Sequence, residues 1–230
     1  MKIYSIGSLN IDYVYSVDHF VAPGETMSSL DLQLFPGGKG LNQSVALAKA
    51  GARVIHGAVV GKEGEFLVDT MKSAGVDVSR LKYADAPSGH AIIQVNTSGQ
   101  NCILLYGGTN QALDEEYIER VLSDAEEGDM VLLQNETNCL DVIFETAKKK
   151  GLQIAFNPSP FNDKIKNLPL EYVDWWFCNE IEGEELFGSS EPKAILDSFI
   201  KKYPSSNLIL TLGKNGSMFK NKDLELYQPI

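Results

Sequence analysis

Residues 130–156 read MVLLQNETNCLDVIFETAKKKGLQIAF. Met130–Gln134 is a short apolar run, Asp141–Lys150 repeats apolar positions at helical spacing, Gly151 stands where a helix C-cap belongs, and Leu152–Phe156 is a second apolar run. Strand, helix and strand in that order predict a parallel crossover, and runs apolar on both faces predict strands buried on both sides. The same alternation extends outward from this stretch. Ile3–Gly7, Arg53–Val60, Trp175–Cys178 and Asn207–Leu212 read as further strands. Asn42–Ala50, Gly64–Ala74, Asp114–Ala125 and Pro192–Tyr203 carry helical periodicity, with Gly51, Gly75 and Gly128 placed as caps. The pattern predicts an α/β fold, a doubly wound and mostly parallel sheet flanked by helices.

Two stretches break the alternation. Tyr13–Val17 with Ser29–Phe35, and Gly89–Asn96 with Asn101–Tyr106 around a Thr97-Ser98-Gly99-Gln100 turn, alternate apolar and polar as half-exposed strands do. They predict a small β lid, with strands at about 13–35 and 89–106. No Pro/Ser-rich linker or internal repeat divides the 230 residues, so the expectation is a single domain over 1–230 that carries this lid. The lid's apolar positions Val14, Leu32, Leu34, Ile93 and Val95 are expected to pair two copies into a homodimer, because unpaired strand edges seek partners.

Twenty Lys+Arg against 31 Asp+Glu leave a net charge of −11, which offers no basic stripe to phosphates and predicts neither a nucleic-acid nor a membrane partner. No run approaches the roughly eighteen apolar residues of a membrane span, and the amino terminus enters a strand pattern without a signal-type apolar region, so a cytoplasmic address is expected. Cys102, Cys139 and Cys178 are odd in number and contain no CxxC; His19, His56 and His90 are scattered with no HExxH. Neither set predicts a disulfide framework or a metal centre.

Six polar stretches sit at strand ends or helix starts. Gly7-Ser8-Leu9-Asn10-Ile11-Asp12 places an amide and a carboxylate on one side of an extended chain, a donor–acceptor pair suited to neighbouring hydroxyls or, equally, an Asx turn. Pro36-Gly37-Gly38-Lys39-Gly40-Leu41-Asn42-Gln43 leads three glycines into a helix, so that backbone N–H groups can come close to a ligand; a plain glycine turn is the alternative. It matches neither GxxxxGK[ST] nor GxGxxG, where Gln43 replaces the third glycine, which argues against a nicotinamide-binding domain. Gln134-Asn135-Glu136 and Asn157-Pro158 end buried strands, where ligands sit on open α/β sheets; Glu136 can bind a hydroxyl or cap the next helix. Asn179-x-x-Glu182 is either a capping box or a helix start that meets magnesium through water. Thr211-Leu212-Gly213-Lys214-Asn215-Gly216-Ser217 reads as a hairpin turn or, alternatively, a phosphate-contacting loop.

Taken in order, these stretches, with Pro23-Gly24-Glu25-Thr26, resemble the ribokinase-like carbohydrate kinases from residue 3 to about 217. The resemblance implies ATP-dependent phosphorylation of a sugar hydroxyl, ribose above all, with Mg2+ present. It implies that Asn10, Asp12, Gly38, Lys39, Asn42 and Glu136 hold the sugar. Asn179 would face the ATP phosphates, Glu182 would orient Mg2+ through water, and Thr211 and Gly213 would line the nucleotide side.

One departure from the family pattern stands out. Its second signature, a Gly-Ala-Gly-Asp-like turn at a helix start that supplies the catalytic base, is absent, and Gly128-Asp129 precedes a strand instead. The expectation is a chain truncated before its base, inactive alone, with the C-terminal part of the fold and any monovalent-cation loop outside it. A catalytically inactive sugar-binding or regulatory protein of the same fold is the alternative.

Overall fold

The computed structural model describes residues Met1–Ile230. In chain order the amino-terminal part runs β1 (Ile3–Ile6), β2 (Asn10–Ser16), β3 (Asp31–Gly37), α1 (Lys39–Lys49), β4 (Val54–Gly57), β5 (Val59–Gly61) and α2 (Glu65–Ser73). Then come β6 (Lys82–Ala84), β7 (Gly89–Val95), β8 (Asn101–Tyr106), α3 (Glu115–Val121), β9 (Met130–Gln134), α4 (Leu140–Lys149) and β10 (Gln153–Asn157). The remainder is β11 (Trp175–Asn179), α5 (Glu180–Phe187), α6 (Pro192–Lys202), β12 (Asn207–Thr211), β13 (Ser217–Lys220) and β14 (Glu225–Gln228). The elements form two compact units, Ile6–Asp114 and Met1–Ser5 with Glu115–Ile230.

In the second of these units the strands follow the order β14-β13-β12-β11-β10-β9-β1. β9, β10, β11 and β12 pair in parallel, while β13 and β14 add an antiparallel edge. Leu133, Ile154, Leu208 and Leu210 are fully buried in these strands, as expected of runs apolar on both faces. Trp176 on β11 is the largest fully buried side chain; it stacks on Tyr203 and meets Phe156, Phe187 and Phe199 edge-on. Gly128 and Gly151 take positive φ where the sequence predicts caps, and Asp129 accepts hydrogen bonds from the Lys2 and Glu126 amides, which ties the amino terminus to the entrance of β9.

The first unit holds the accessory strands as a four-stranded sheet of order β3-β2-β7-β8, antiparallel except for the parallel β2–β7 pair. Its core gathers Leu9, Ile11, Leu41, Val54, Val60, Leu67, Val68 and Met71 from β2, α1, β4, β5, α2 and the turn before β2. The strand predicted over Arg53–Val60 is two strands broken at Ala58, because β5 turns aside to pair with β6. Every residue from Val54 to Val60 is buried, so no alternation marks that break. Helix α1 starts at Lys39, three residues before the expected Asn42, since tertiary contacts outweigh the roughly 1 kcal/mol helix penalty of Gly40. Of the expected apolar positions, Leu32 and Leu34 are exposed and Val14, Ile93 and Val95 are half-buried; Leu30 and the run Ile103–Tyr106 are exposed as well.

His56 on β4 is fully buried, with Nδ1 2.8 Å from Ser44 Oγ of α1. Burial pushes its imidazole down from 6.5 to about 4. The folded state therefore holds a neutral ring while the unfolded chain takes up a proton below 6.5, so this stability is complete above 6.5 and is lost as pH falls toward 4. Between pH 7 and pH 5 the wild type should lose roughly 2 kcal/mol more unfolding free energy than His56→Gln, measured by urea titration. Equal losses in the two proteins would remove His56 as the source.

Candidate functional site

The unit Ile6–Asp114 brings Asn10, Asp12, Gly38, Lys39 and Asn42 together, and glycines are the means. β2 places Asn10 and Asp12 on one side, and Asn10 has Gly37 opposite it on β3 and Gly89 opposite it on β7. A Cβ on Gly37 would fall 2.2–2.4 Å from the carboxylate atoms of Asp12, so that carboxylate lies directly over the loop. Gly38 has φ 94°, a backbone conformation L side chains rarely adopt, and a Cβ there would meet Ser8 O and Asn10 N. At Gly40 the same atom would fall 2.5 Å from Gly7 C and Ser8 N.

The close approach that these glycines permit is therefore to the chain's own Gly7–Asp12 segment. Gly40 N donates to Ser8 Oγ at 3.2 Å and Leu41 N to Ser8 O at 3.0 Å, so early amides of α1 are spent on the turn. What the loop offers outward is side chains: Lys39 half-buried, Asn42 exposed, and Asp12 half-buried beside them.

Behind this face lies a polar layer that the sequence reading missed. Asn110, in the short 3-10 turn Gly108–Gln111, hydrogen-bonds Leu9 and Asn10. Ser88 Oγ accepts from Gly61 N at 2.9 Å, and Glu63 Oε1 accepts from Ser88 N. Burial would raise the Glu63 carboxyl, but the hydrogen bonds from Ser88 outweigh it and hold the group below its ordinary value. The signal for Asn110 was Gly107-Gly108 directly after a predicted strand, a pair of turn residues with nothing to say where the following amide points.

In the other unit, Glu136, Asn179, Glu182, Thr211 and Gly213 follow the carboxyl ends of β9, β11 and β12. Parallel register puts Gln134 beside Asn157 and Asn179 beside Thr211, so the polar ends line one edge of the sheet, the edge where open α/β sheets take ligands. Asn179 and Glu182 form the capping box: Glu182 N donates to Asn179 Oδ1 at 2.9 Å, and Asn179 N donates to Glu182 Oε2 at 2.8 Å. Glu182 is buried, and no group of three or more His, Cys, Asp or Glu side chains is placed to hold a metal ion. Thr211 Oγ1 donates to Cys178 O at 3.3 Å, and the stretch after it is the hairpin turn between β12 and β13, with Gly213–Asn215 as a 3-10 turn.

Residues 1–230 match the pfkB family carbohydrate kinase model. The chain is 32% identical to the ribokinase of Staphylococcus aureus (strain COL), covering 96% of this chain and 76% of that protein. It is 31% identical to the Haemophilus influenzae ribokinase, covering 94% and 74%. Among solved structures, ribokinase from Thermotoga maritima superimposes with TM-score 0.83 at 33% identity, over 100% of this chain and 77% of that one. Ribokinase from Cryptococcus neoformans in complex with ADP does so with TM-score 0.81 at 29% identity, over 99% and 78%.

The atoms nearest a methyl group on Gly37 are those of the Asp12 carboxylate, a side-chain end rather than backbone, so this side chain is the part that must move. Gly37→Ala should therefore weaken sugar binding at least tenfold in calorimetric titration with ribose while the unfolding temperature moves by only a few degrees. Wild-type affinity in this variant would show that Asp12 is not a ligand in its present place.

Proposed function

The chain belongs to the pfkB family of carbohydrate kinases, and on that premise we infer that it transfers the γ-phosphoryl group of ATP to a hydroxyl of ribose. The observation that carries the reading is the seating of the Gly37–Gly40 loop on Gly7–Asp12, which joins an amide, a carboxylate and a lysine on one surface. Asp12 accepts hydrogen bonds from neighbouring hydroxyls and Asn42 hydrogen-bonds a further one. Lys39 adds a positive charge next to that carboxylate. The resemblance also makes Glu136, after the carboxyl end of β9, a proposed hydroxyl acceptor.

Phosphoryl transfer rests on positioning and charge stabilisation, with a base to take the hydroxyl proton. The residues named above supply positioning, and none of them is assigned the base. For the nucleotide, Asn179, Thr211 and Gly213 on the sheet's carboxyl edge are the proposed contacts. Magnesium would enter with ATP and neutralise phosphate charge; Oε2 of Glu182 is committed to the cap, which leaves Oε1 for water on the metal. Cys102, Cys139 and Cys178 form no disulfide, and a cytoplasmic address is proposed.

ATP-dependent phosphorylation of ribose, followed by ADP release, tests the activity. Asp12→Ala should raise the ribose dissociation constant by a hundredfold or more, since removing a carboxylate that accepts two hydrogen bonds costs roughly 3 kcal/mol. Ribose binding without turnover would fit either a kinase chain that lacks its base or an inactive sugar-binding protein, and no binding of any pentose would end the reading.

The four-stranded sheet is also proposed to pair two copies of the chain. Its outer strand β8 exposes Ile103 at 51% and Leu104 at 68%, and an open edge with apolar side chains favours a partner strand or sheet. Sedimentation equilibrium should find a dimer in the wild type and a monomer in Ile103→Asp; a monomeric wild type would refute the pairing.

A further inference from the structure

We propose that Asn110 is a positioning residue for the sugar site: it holds the amide of Asn10 in one orientation, so that Asn10 meets the ligand only as a hydrogen-bond donor. The inference rests on Asn10 being a sugar ligand, as proposed above.

The orientation follows from a chain of three groups whose first member is unambiguous. Leu9 N is a backbone amide and can only donate; it lies 3.0 Å from Asn110, and the atom that receives it must be Oδ1. The other end of the Asn110 amide is then Nδ2, a donor, and it lies 3.3 Å from Leu9 O and 2.7 Å from Asn10. The Asn10 atom facing it must accept, so it is Oδ1, and the Asn10 NH2 group points away from Asn110. One peptide N–H thus settles two side-chain amides that electron density by itself would leave interchangeable.

The layer is tightly packed and buried. Asn110 is 3% exposed and Asn10 6% exposed. A Cβ on Gly89, opposite Asn10 on β7, would fall 2.0 Å from Asn110 Nδ2 and 2.4 Å from Asn10 Oδ1, so glycine there makes the contact possible. Rotating the Asn10 amide would set its NH2 against the NH2 of Asn110 in a buried site, leaving that Asn10 N–H without an acceptor there and Asn110 with Leu9 O alone, a loss that a buried site penalises.

The chemical consequence concerns which hydroxyl lone pairs and protons are read. Asn10 gives a proton, and Asp12 two residues on only accepts, so the pair asks for one hydroxyl that accepts and another that donates. A freely rotating Asn10 would not make that distinction. Locking a ligand-binding side chain through a second hydrogen bond is the usual way in which a site is held to its working geometry.

A double-mutant cycle tests the proposal, with ribose dissociation constants from calorimetry and KM against kcat from the phosphorylation assay. Asn110→Ala removes the whole link. Asn110→Asp keeps the acceptor for Leu9 N but sets an oxygen against Asn10 Oδ1, and it guards against a failure of the alanine variant to fold. Each should weaken ribose binding about tenfold and raise the ribose KM with the ATP KM unchanged. In an Asn10→Ala background each should change ribose affinity less than twofold, because the residue acts through Asn10. Equal weakening in both backgrounds, or no weakening in the wild-type background, would overturn the proposal. Wild-type affinity in Asn10→Ala alone would instead overturn the reading of Asn10 as a ligand, and this inference with it.

Discussion

At Gly40, backbone lies so close to Gly7 and Ser8 that a single Cβ would fall 2.5 Å from their atoms. This contact seats the first turn of α1 on the segment that joins β1 to β2, and the candidate sugar face depends on it. Ser8 satisfies the helix amides of Gly40 and Leu41, so the helix start needs no ligand to complete it. With that end fixed, Gly37 lies under the Asp12 carboxylate and the side chains of Lys39 and Asn42 are carried outward. The polar residues of the face sit on a strand and a helix, elements that hold side chains more tightly than free loops do.

Beneath the face, polar atoms are joined in a layer in which each group limits the next. Leu9, Asn110 and Asn10 form one line, and Gly61, Ser88 and Glu63 form another. Buried amides and hydroxyls without partners are costly, and partners that all have to be met at once leave few arrangements open. The apolar core of this unit, Leu9, Ile11, Leu41 and Val54 among its members, supplies the stability; the polar layer supplies the orientation.

On the parallel sheet the division of labour differs. Polar residues stand at the carboxyl edge: Asn179 and Thr211, which end β11 and β12, are exposed, whereas Gln134 at the end of β9 is buried. Asn179 and Glu182 cap α5 with each other's atoms, and the cap holds both residues at the edge where a nucleotide is proposed. A structural role and a binding role are compatible here, since the cap uses one oxygen of Glu182 and leaves the other.

Much of this was legible before any coordinates. Apolar runs, helical periodicity and cap glycines are local signals, and they located β9, α4 and β10 within a residue of where they lie. The capping box and the hairpin after Thr211 were legible as well, because both are made by residues a few positions apart. Other features were not legible. The break at Ala58 lies inside the uniformly buried run Val54–Val60, where Gly57 is the one local hint of a bend and burial gives no alternation to register. That the glycines of residues 37–40 serve the chain's own packing, and that Gly89 makes room for an amide, shows only when the opposing atoms are known. Asn110 meets Asn10 across 100 residues of sequence, and no local pattern encodes a contact whose two halves are brought together by the path of the chain. Local chemistry determined the elements and the candidate residues; tertiary packing decided which of them meet and which way their amides face.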